Sequence, residues 1–330
     1  MTDLSLDDKI ALLGGDGLWD TAAVGDVPRL HVADGPHGVS AHSAAELLAR
    51  DGVPASVAFP TSSTLASSWD REVVARQGAG IAQEARRLGV DIILGPGINI
   101  KRTPLCGRNF EYLSEDPVLS GELAATLIRS IEAGGVGATV KHFAVNNQER
   151  DRMVLNAVVD DRALREIYLK GFEIAVRSGK PTAVMSAYNS VNGTPAVANP
   201  FLLTEVLRDE WGFEGIVVSD WGSVDDRVAS LQAGLDLEMP GSAGVGAAAV
   251  RAAVDAGEID EALIDRSSDR VIKVARRLRQ HPRVDPMTDN RGLRDLARQI
   301  SGECVVLLRN EQELLPLDAE ARLTDRRAHV

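Results

Sequence analysis

The chain contains few cysteines and few aromatic residues. Its 330 residues include two cysteines, Cys106 and Cys304, which lie far apart and without metal-ligand spacing. Disulfide frameworks and zinc sites need more cysteines at closer spacing, so we expect neither of them. The sequence therefore predicts a protein without a bound metal and without another cofactor.

Long apolar runs are also missing, and no stretch reaches the length that spans a membrane. Residues 1–9 lack the basic and apolar regions of a signal peptide, so we expect a cytoplasmic protein. The net charge is −12, from 36 basic and 48 acidic residues. Such an acidic surface argues against nucleic acid or an anionic membrane as a partner.

Strand-like and helical patterns alternate along most of the chain, which predicts an α/β fold with a parallel sheet. Because each strand is followed by a polar or Gly/Pro-rich segment, the pattern favours a TIM-like (β/α)8 barrel. Six strands are visible, which leaves open whether the barrel is complete or irregular. The predicted strands are 30–33, 91–94, 138–142, 182–186, 216–219 and 235–238. The predicted helices are about 70–88, 117–133, 161–178, 200–211, 223–232, 246–256 and 260–280, with Asp70, Asp116 and Asp161 as N-terminal caps.

The pattern changes near residue 280, which predicts three regions. Residues 1–280 form the barrel, and 281–302 form a Pro-containing linker and a helix. Residues 303–330 begin with an apolar strand at 304–308. One strand cannot form a sheet, so this region reads as the start of a second α/β domain.

The run Gly215–Trp221 carries the strongest functional signal. Two valines lead into Ser219, Asp220 and Trp221, and side chains just past the end of a parallel strand face the active site in such folds. A carboxylate beside an aromatic platform suits glycoside hydrolysis, where Asp220 would attack the sugar and Trp221 would support it. The alternative is that Asp220 caps the next helix.

Further polar residues lie where predicted strands end. Asp34 can accept hydrogen bonds from two sugar hydroxyls, or it is a turn residue before Gly-Pro. Arg108 can bind hydroxyls, pair with Glu111, or be a solvated loop residue.

Lys141 and His142 end one strand directly. They can reach one ligand only where the strand breaks, because adjacent strand residues face opposite ways. Tyr188 can steady the nucleophile with its hydroxyl, or it covers the core at the rim.

In order along the chain, these segments resemble glycoside hydrolase family 3, of the β-glucosidase type. The matching stretches are "ADGPHGV" (33–39), "FPTSSTLASSWD" (59–70), "GRNFEYLSEDPVLSGELA" (107–124), "KHFAVNNQERDR" (141–152), "MSAYNSVNGTPA" (185–196), "LLTEVLRDEWGFEGIVVSDW" (202–221) and "AGLDLEMPG" (233–241). The resemblance implies a TIM-like first domain and retaining hydrolysis of terminal β-D-glycosides.

Family roles follow by matching position. The resemblance implies that Asp220 is the catalytic nucleophile and that Trp221 is the aromatic beside it. It implies that five residues line the subsite of the non-reducing sugar, namely Asp34, Arg108, Lys141, His142 and Tyr188. Glu111, Asn147, Glu149 and Glu238 are expected to support these residues.

The resemblance departs from the family at the end of the chain. "CVVLLRNEQELLPLD" (304–318) is similar to the start of the family's second domain, which supplies the acid/base glutamate, but no position matches that glutamate. We therefore expect impaired activity on natural glycosides.

Three alternatives stay open at this stage. In the first, the chain is a single-domain β-N-acetylglucosaminidase-like hydrolase, with Glu149 or Asp151 as the acid. In the second, Lys141 forms a Schiff base, as in lyases. In the third, a non-catalytic barrel binds a sugar, self-associates, or pairs with a separate chain that supplies the second domain.

Overall fold

The computed structural model describes residues 4–40, 56–281 and 290–318. The strands are β1 (Val32–Asp34), β2 (Ile92–Leu94), β3 (Gly137–Phe143), β4 (Asn156–Ala157), β5 (Ala183–Ser186), β6 (Ser190–Val191), β7 (Thr194–Pro195) and β8 (Ile216–Val218). Five of them form one parallel sheet in the spatial order β1-β2-β3-β5-β8. The three two-residue strands form a second, small sheet in the order β4-β6-β7.

Helices follow most strands of the large sheet, so the α/β class is confirmed. The regular helices are α1 (Leu6–Ala11), α2 (Ser62–Ala66), α3 (Arg71–Arg87), α4 (Pro117–Ala133), α7 (Arg227–Ala233), α8 (Val245–Asp255), α9 (Glu261–Leu278) and α10 (Arg291–Glu303). Segment α5, at 161–179, alternates α-helical turns with the π-helical turns Leu164–Tyr168 and Ala175–Gly179, and α6 (Phe201–Glu210) is π-helical throughout. None of the helices in the described ranges is long and apolar enough to cross a membrane.

The strands of the large sheet are buried on both faces, as is typical of parallel sheets. In β2, Ile93 points into the core shared with α3 and α4. Ile92 and Leu94 point to the opposite face, where they join residues of α9 such as Val271. Because alternate residues face opposite sides of the sheet and both sides are buried, the strands appear in the sequence as short, continuous apolar runs.

The predicted strand at 235–238 is wrong as a regular strand. Leu237 and Glu238 form only isolated parallel bridges, with Val218 and Gly14. The reason lies in Asp236, whose Oδ2 accepts the backbone N–H of Val217 at 2.8 Å. The Asp236 side chain therefore accepts the Val217 N–H, which a continuous β-ladder would use for a backbone hydrogen bond. Closure of the sheet into an eight-stranded barrel stays a prediction.

Two further expectations need correction. Residues 304–308 form no strand, and Val305 and Leu308 are 76% and 92% exposed, because no described strand lies beside them. The cap of α5 is Asp160 rather than Asp161, since the extended backbone of Asp160 lets its side chain accept from the N–H of Ala163. Asp70 and Asp116 cap α3 and α4 as predicted.

Most of the predicted linker, 282–286, lies outside the described residues.

Asp236 also forms an ionic cluster beside β8. Its side chain is fully buried, with Arg208 Nη2 at 2.6 Å from Oδ2 and Arg270 Nη1 at 2.9 Å from Oδ1. The cluster joins α6, β8 and α9, and so holds the strand that leads to Asp220.

We predict that Asp236→Ala lowers the free energy of unfolding by about 3–5 kcal/mol, because it leaves the nearly buried Arg208 and the partly exposed Arg270 without their partner. The matched surface change is Arg162→Ala, which breaks an exposed pair with Glu166 and should cost no more than about 1 kcal/mol. Urea unfolding of both variants measures the difference. Equal losses in the free energy of unfolding for the two variants would show that Asp236 does not hold this region.

Candidate active site

Polar side chains from four strands meet at the carboxyl edge of the large sheet. They line a cavity of about 210 Å³. This volume is below the about 300–1,000 Å³ of drug-sized ligand sites, so it suits a ligand of about one ring. All seven residues that the sequence analysis selected line it. The lining residues are Trp19, Asp34, Leu94, Arg108, Lys141, His142, Arg152, Met185, Tyr188, Asp220 and Trp221.

Larger cavities occur elsewhere, but their chemistry is less suited to catalysis. One of about 480 Å³ lies at the opposite end of β5 and β8, beside Lys180 and Glu214. Side chains at the amino end of parallel strands usually serve stability rather than catalysis. We therefore select the smaller cavity for its convergent charged groups and not for its size.

Asp220 lies two residues past the end of β8 and is 7% exposed. Its Oδ1 accepts the backbone N–H of Trp221 at 2.8 Å, whereas its Oδ2 makes no hydrogen bond with any described residue. The alternative role as a helix cap is wrong, because α7 begins later and Asp226 caps it. Burial raises the pKa of Asp220, and this rise is opposed by the charge of Lys141 and by the Trp221 N–H.

A buried carboxylate, Glu111, holds two cations of the site. Its Oε2 accepts from Arg108 Nε at 2.7 Å, and its Oε1 lies 3.1 Å from Lys141 Nζ. Burial alone would raise the pKa of Glu111, but attraction to Lys141 and Arg108 outweighs burial and holds the pKa well below its usual range. Glu111 is therefore ionised, and the predicted Arg108–Glu111 ion pair is present.

Lys141 bridges Glu111 and Asp34. Its Nζ donates to Asp34 Oδ1 at 2.9 Å, while the side chain of Asp34 remains 53% exposed and faces the cavity. Burial would lower the pKa of Lys141, but Glu111 and Asp34 outweigh it and the pKa is raised. A protonated amine cannot attack a carbonyl, so this geometry disfavours the Schiff-base alternative.

His142 lies beside Lys141 in β3, yet both side chains reach the same cavity. The pairing of β3 with β5 shifts register between Val140 and Phe143, which breaks the strict alternation of faces. Burial and the nearby charge of Arg108 hold the pKa of His142 well below its ordinary value, so the imidazole is neutral. Its Nε2 lies 3.9 Å from Asp220 Oδ2 and 2.8 Å from Arg108 Nη2.

Two aromatic groups close one side of the cavity. The rings of Trp19 and Trp221 lie 5.4 Å apart, tilted by 38°, and Trp221 Nε1 donates to Leu18 O. Tyr188 O–H donates to the backbone oxygen of Trp221 at 2.8 Å, and the hydroxyl also acts on the Asp220 carboxylate, whose pKa it lowers. Burial and the charge of Asp220 raise the pKa of Tyr188 to about 12, so the hydroxyl keeps its proton.

Sequence reasoning missed four of the lining residues, the apolar Leu94 and Met185 as well as Trp19 and Arg152. Arg152 Nη1 donates to Glu149 Oε2 at 2.8 Å, and its guanidinium lies 4.7 Å from the centre of the Tyr188 ring. A signal was available, because Arg152 ends the stretch "KHFAVNNQERDR" that also contains Lys141 and His142. Trp19 carries no such signal, since it precedes every strand of the sheet.

The two carboxylates considered as alternative acids are poorly placed. Glu149 pairs with Arg152 and lies 4.0 Å from Arg108 Nε. Asp151 is 75% exposed beside Arg150. Neither carboxylate is among the residues that line the cavity, whereas a general acid must reach the leaving oxygen of the bound sugar. The single-domain alternative is therefore not favoured.

An α/β sheet with a buried aspartate, two ion-paired cations and a tryptophan pair at its carboxyl edge has the features of a carbohydrate-active site. The sequence model described as glycosyl hydrolase family 3 N terminal domain matches residues 48–274. This chain therefore belongs to glycoside hydrolase family 3.

Individual relatives agree with this assignment. The chain is 46% identical over 318 residues to thermostable β-glucosidase B of Acetivibrio thermocellus, covering 95% of this chain and 42% of that protein. It is 43% identical over 323 residues to an exo-α-(1→6)-L-arabinopyranosidase of Bifidobacterium longum, covering 96% and 42%. The chain thus spans about two fifths of the length of these relatives.

A solved structure shows the same fold. β-Glucosidase 3B of Thermotoga neapolitana, in complex with α-D-glucose, superposes with a TM-score of 0.89 at 40% identity. The match covers 96% of this chain and 48% of that one.

The ion pairs of Lys141 predict its chemical reactivity. Incubation with pyruvate and borohydride should label Lys141 no more than the exposed Lys180, because the Lys141 amine stays protonated near neutral pH. Peptide mass spectrometry measures the label at both residues. Preferential labelling of Lys141 would contradict the ion-paired state and would revive the Schiff-base alternative.

Proposed function

We propose that this chain is the nucleophile-bearing part of a retaining glycoside hydrolase that acts on terminal β-D-glycosides. Asp220 attacks the anomeric carbon and forms a glycosyl-enzyme. The observation that carries the proposal is the state of Asp220, which is buried just past β8, with Oδ1 accepting the Trp221 N–H and Oδ2 without a hydrogen-bond partner among the described residues. The family membership of the chain supports the same assignment.

The surrounding groups suit one sugar ring. Asp34 offers carboxylate oxygens to hydroxyl donors, and Arg108, Lys141 and Arg152 offer N–H donors to hydroxyl oxygens. Trp221, placed by Tyr188 and Trp19, provides an apolar face against the C–H groups of the ring. We propose these residues, with His142, as the subsite for the non-reducing sugar.

Retaining hydrolysis needs a second carboxyl group that protonates the leaving oxygen, about 5–5.5 Å from the nucleophile. Among the described lining residues, the only carboxyl groups are Asp220 and Asp34, and Asp34 is ion-paired with Lys141. We propose that the acid/base group comes from outside the cavity described here. The chain alone should then work poorly on sugars with alcohol leaving groups, since acid assistance contributes about 10²–10⁴-fold in rate.

We propose that the sheet and its flanking bridges belong to a TIM-like barrel, and that residues 303–330 begin a second α/β domain. The cytoplasmic location and any self-association or complementing chain stay predictions. A non-catalytic sugar-binding role is the second candidate function, and the exposed Asp34 beside a small cavity is compatible with it.

The nucleophilic role predicts a covalent adduct. Treatment with a 2,4-dinitrophenyl 2-deoxy-2-fluoro-β-glucoside should add one sugar to the protein, because this leaving group needs no proton. Peptide mass spectrometry should locate the sugar on Asp220.

The controls are Asp220→Asn, which should stay unlabelled, and Asp225→Asn, an exposed aspartate in the following loop, which should label normally. Sugar binding by calorimetry without any adduct would support the non-catalytic role. An adduct on another residue would refute the assignment of Asp220.

The raised pKa of Asp220 predicts a pH dependence. The carboxylate must be ionised to attack, so the labelling rate should fall as pH drops through its pKa, with a midpoint above the ordinary value of about 3.9. Lys141→Met removes a charge that opposes this rise, so the midpoint should move further up. The exposed Lys180→Met should leave the midpoint unchanged. A midpoint in Lys141→Met equal to that of the unaltered chain would contradict this electrostatic description.

A further inference from the structure

We propose that Asn99 and Arg108 are positioning residues that hold His142 as its Nδ1–H tautomer, and so keep Asp220 Oδ2 free of a competing hydrogen bond. The tautomer assignment stands on geometry alone. Its consequence for catalysis rests on the proposed role of Asp220.

The first constraint comes from Asn99, whose orientation is set by the backbone of His142. Asn99 Nδ2 donates to His142 O at 2.8 Å, and Asn99 Oδ1 accepts the His142 N–H at 2.8 Å. A backbone carbonyl can only accept and a backbone N–H can only donate, so the amide cannot be flipped. Its oxygen therefore faces His142 Nδ1, at 3.2 Å, and this nitrogen must carry the proton.

The second constraint comes from the other side of the ring. Arg108 Nη2 lies 2.8 Å from His142 Nε2, and a guanidinium can only donate. Nε2 must therefore offer its lone pair. Two independent neighbours thus require the same tautomer, and Glu111 fixes the guanidinium in turn through Nε.

The tautomer matters because Nε2 also lies near Asp220. The Nε2–Oδ2 distance is 3.9 Å, and Oδ2 makes no hydrogen bond among the described residues. If Nε2 carried a proton, a small ring movement would let it donate to Oδ2. Such a bond stabilises the ionised carboxylate and makes its oxygen a weaker nucleophile.

The charged surroundings of the ring oppose a second proton. Arg108, Lys141 and Arg152 disfavour the imidazolium, whereas Glu111 and Asp220 favour it, and burial disfavours it most. Tyr112 faces Nδ1 with its hydroxyl at 3.5 Å. The same pocket that keeps the ring neutral therefore also selects which nitrogen is protonated.

The direct test is nuclear magnetic resonance of the whole chain with 15N-labelled histidine rings, with His142 assigned by loss of its signals in His142→Gln. Near neutral pH, Nδ1 should have the shift of a protonated nitrogen and Nε2 that of an unprotonated one. An Nε2–H tautomer or an imidazolium would overturn the assignment, whether or not the chain forms a glycosyl-enzyme.

The consequence is tested with Asn99→Asp, which places a charge beside Nδ1 and favours the imidazolium. Hydrogen bonds to charged groups contribute about 1.5–3 kcal/mol, so labelling of Asp220 should slow by roughly 10- to 100-fold at low pH and recover as the ring deprotonates.

The matched control is Asn192→Asp, because Asn192 makes the same paired bonds to the backbone of Val159 but touches no imidazole. It should leave the pH profile of labelling unchanged. A pH-independent loss in Asn99→Asp would show that Asn99 is merely structural. Absence of labelling in the unaltered chain, with the Nδ1–H tautomer present, would refute the proposed function and not the tautomer.

Discussion

The candidate site depends on one buried carboxylate, Glu111, which is shared between Arg108 and Lys141. A buried and a partly buried cation at this spacing would repel each other and would lower each other's pKa without an anion between them. Glu111 allows both to stay charged, and it also fixes where each charge points. Arg108 is directed to His142, and Lys141 is directed to Asp34. The hydrogen-bond pattern of the cavity follows from these two directions.

Two different carboxylates serve sugar binding and reaction in this proposal, namely Asp34 and Asp220. Asp34 faces the cavity with much of its side chain exposed, so it can exchange solvent for hydroxyl groups. Asp220 is buried, and within the described ranges its Oδ1 accepts a hydrogen bond whereas its Oδ2 accepts none. The tilted Trp19–Trp221 pair and the Tyr188 hydroxyl fix the backbone at Trp221, which supplies that single bond. A nucleophile held on one side and free on the other suits attack on a carbon positioned by its neighbours.

Much of the site could be predicted because parallel strands bring their carboxyl ends together, so Asp34, Lys141, His142, Tyr188 and Asp220 were predicted as neighbours from short local patterns. Contacts that depend on distant loops could not be predicted in this way. Trp19 and Arg152 enter the cavity from outside the sheet. The partner of Tyr188 and the bond from Asp236 to Val217 are set by packing rather than by residue spacing.

The most direct test of the central claim is a crystal structure of the chain after reaction with the 2-fluoro glycoside. The account predicts a covalent bond from the anomeric carbon to Asp220 Oδ2, with Oδ1 still accepting the Trp221 N–H and Arg108 still bound to His142. A sugar bonded through another residue, or an Asp220 whose Oδ2 is occupied by His142, would contradict it.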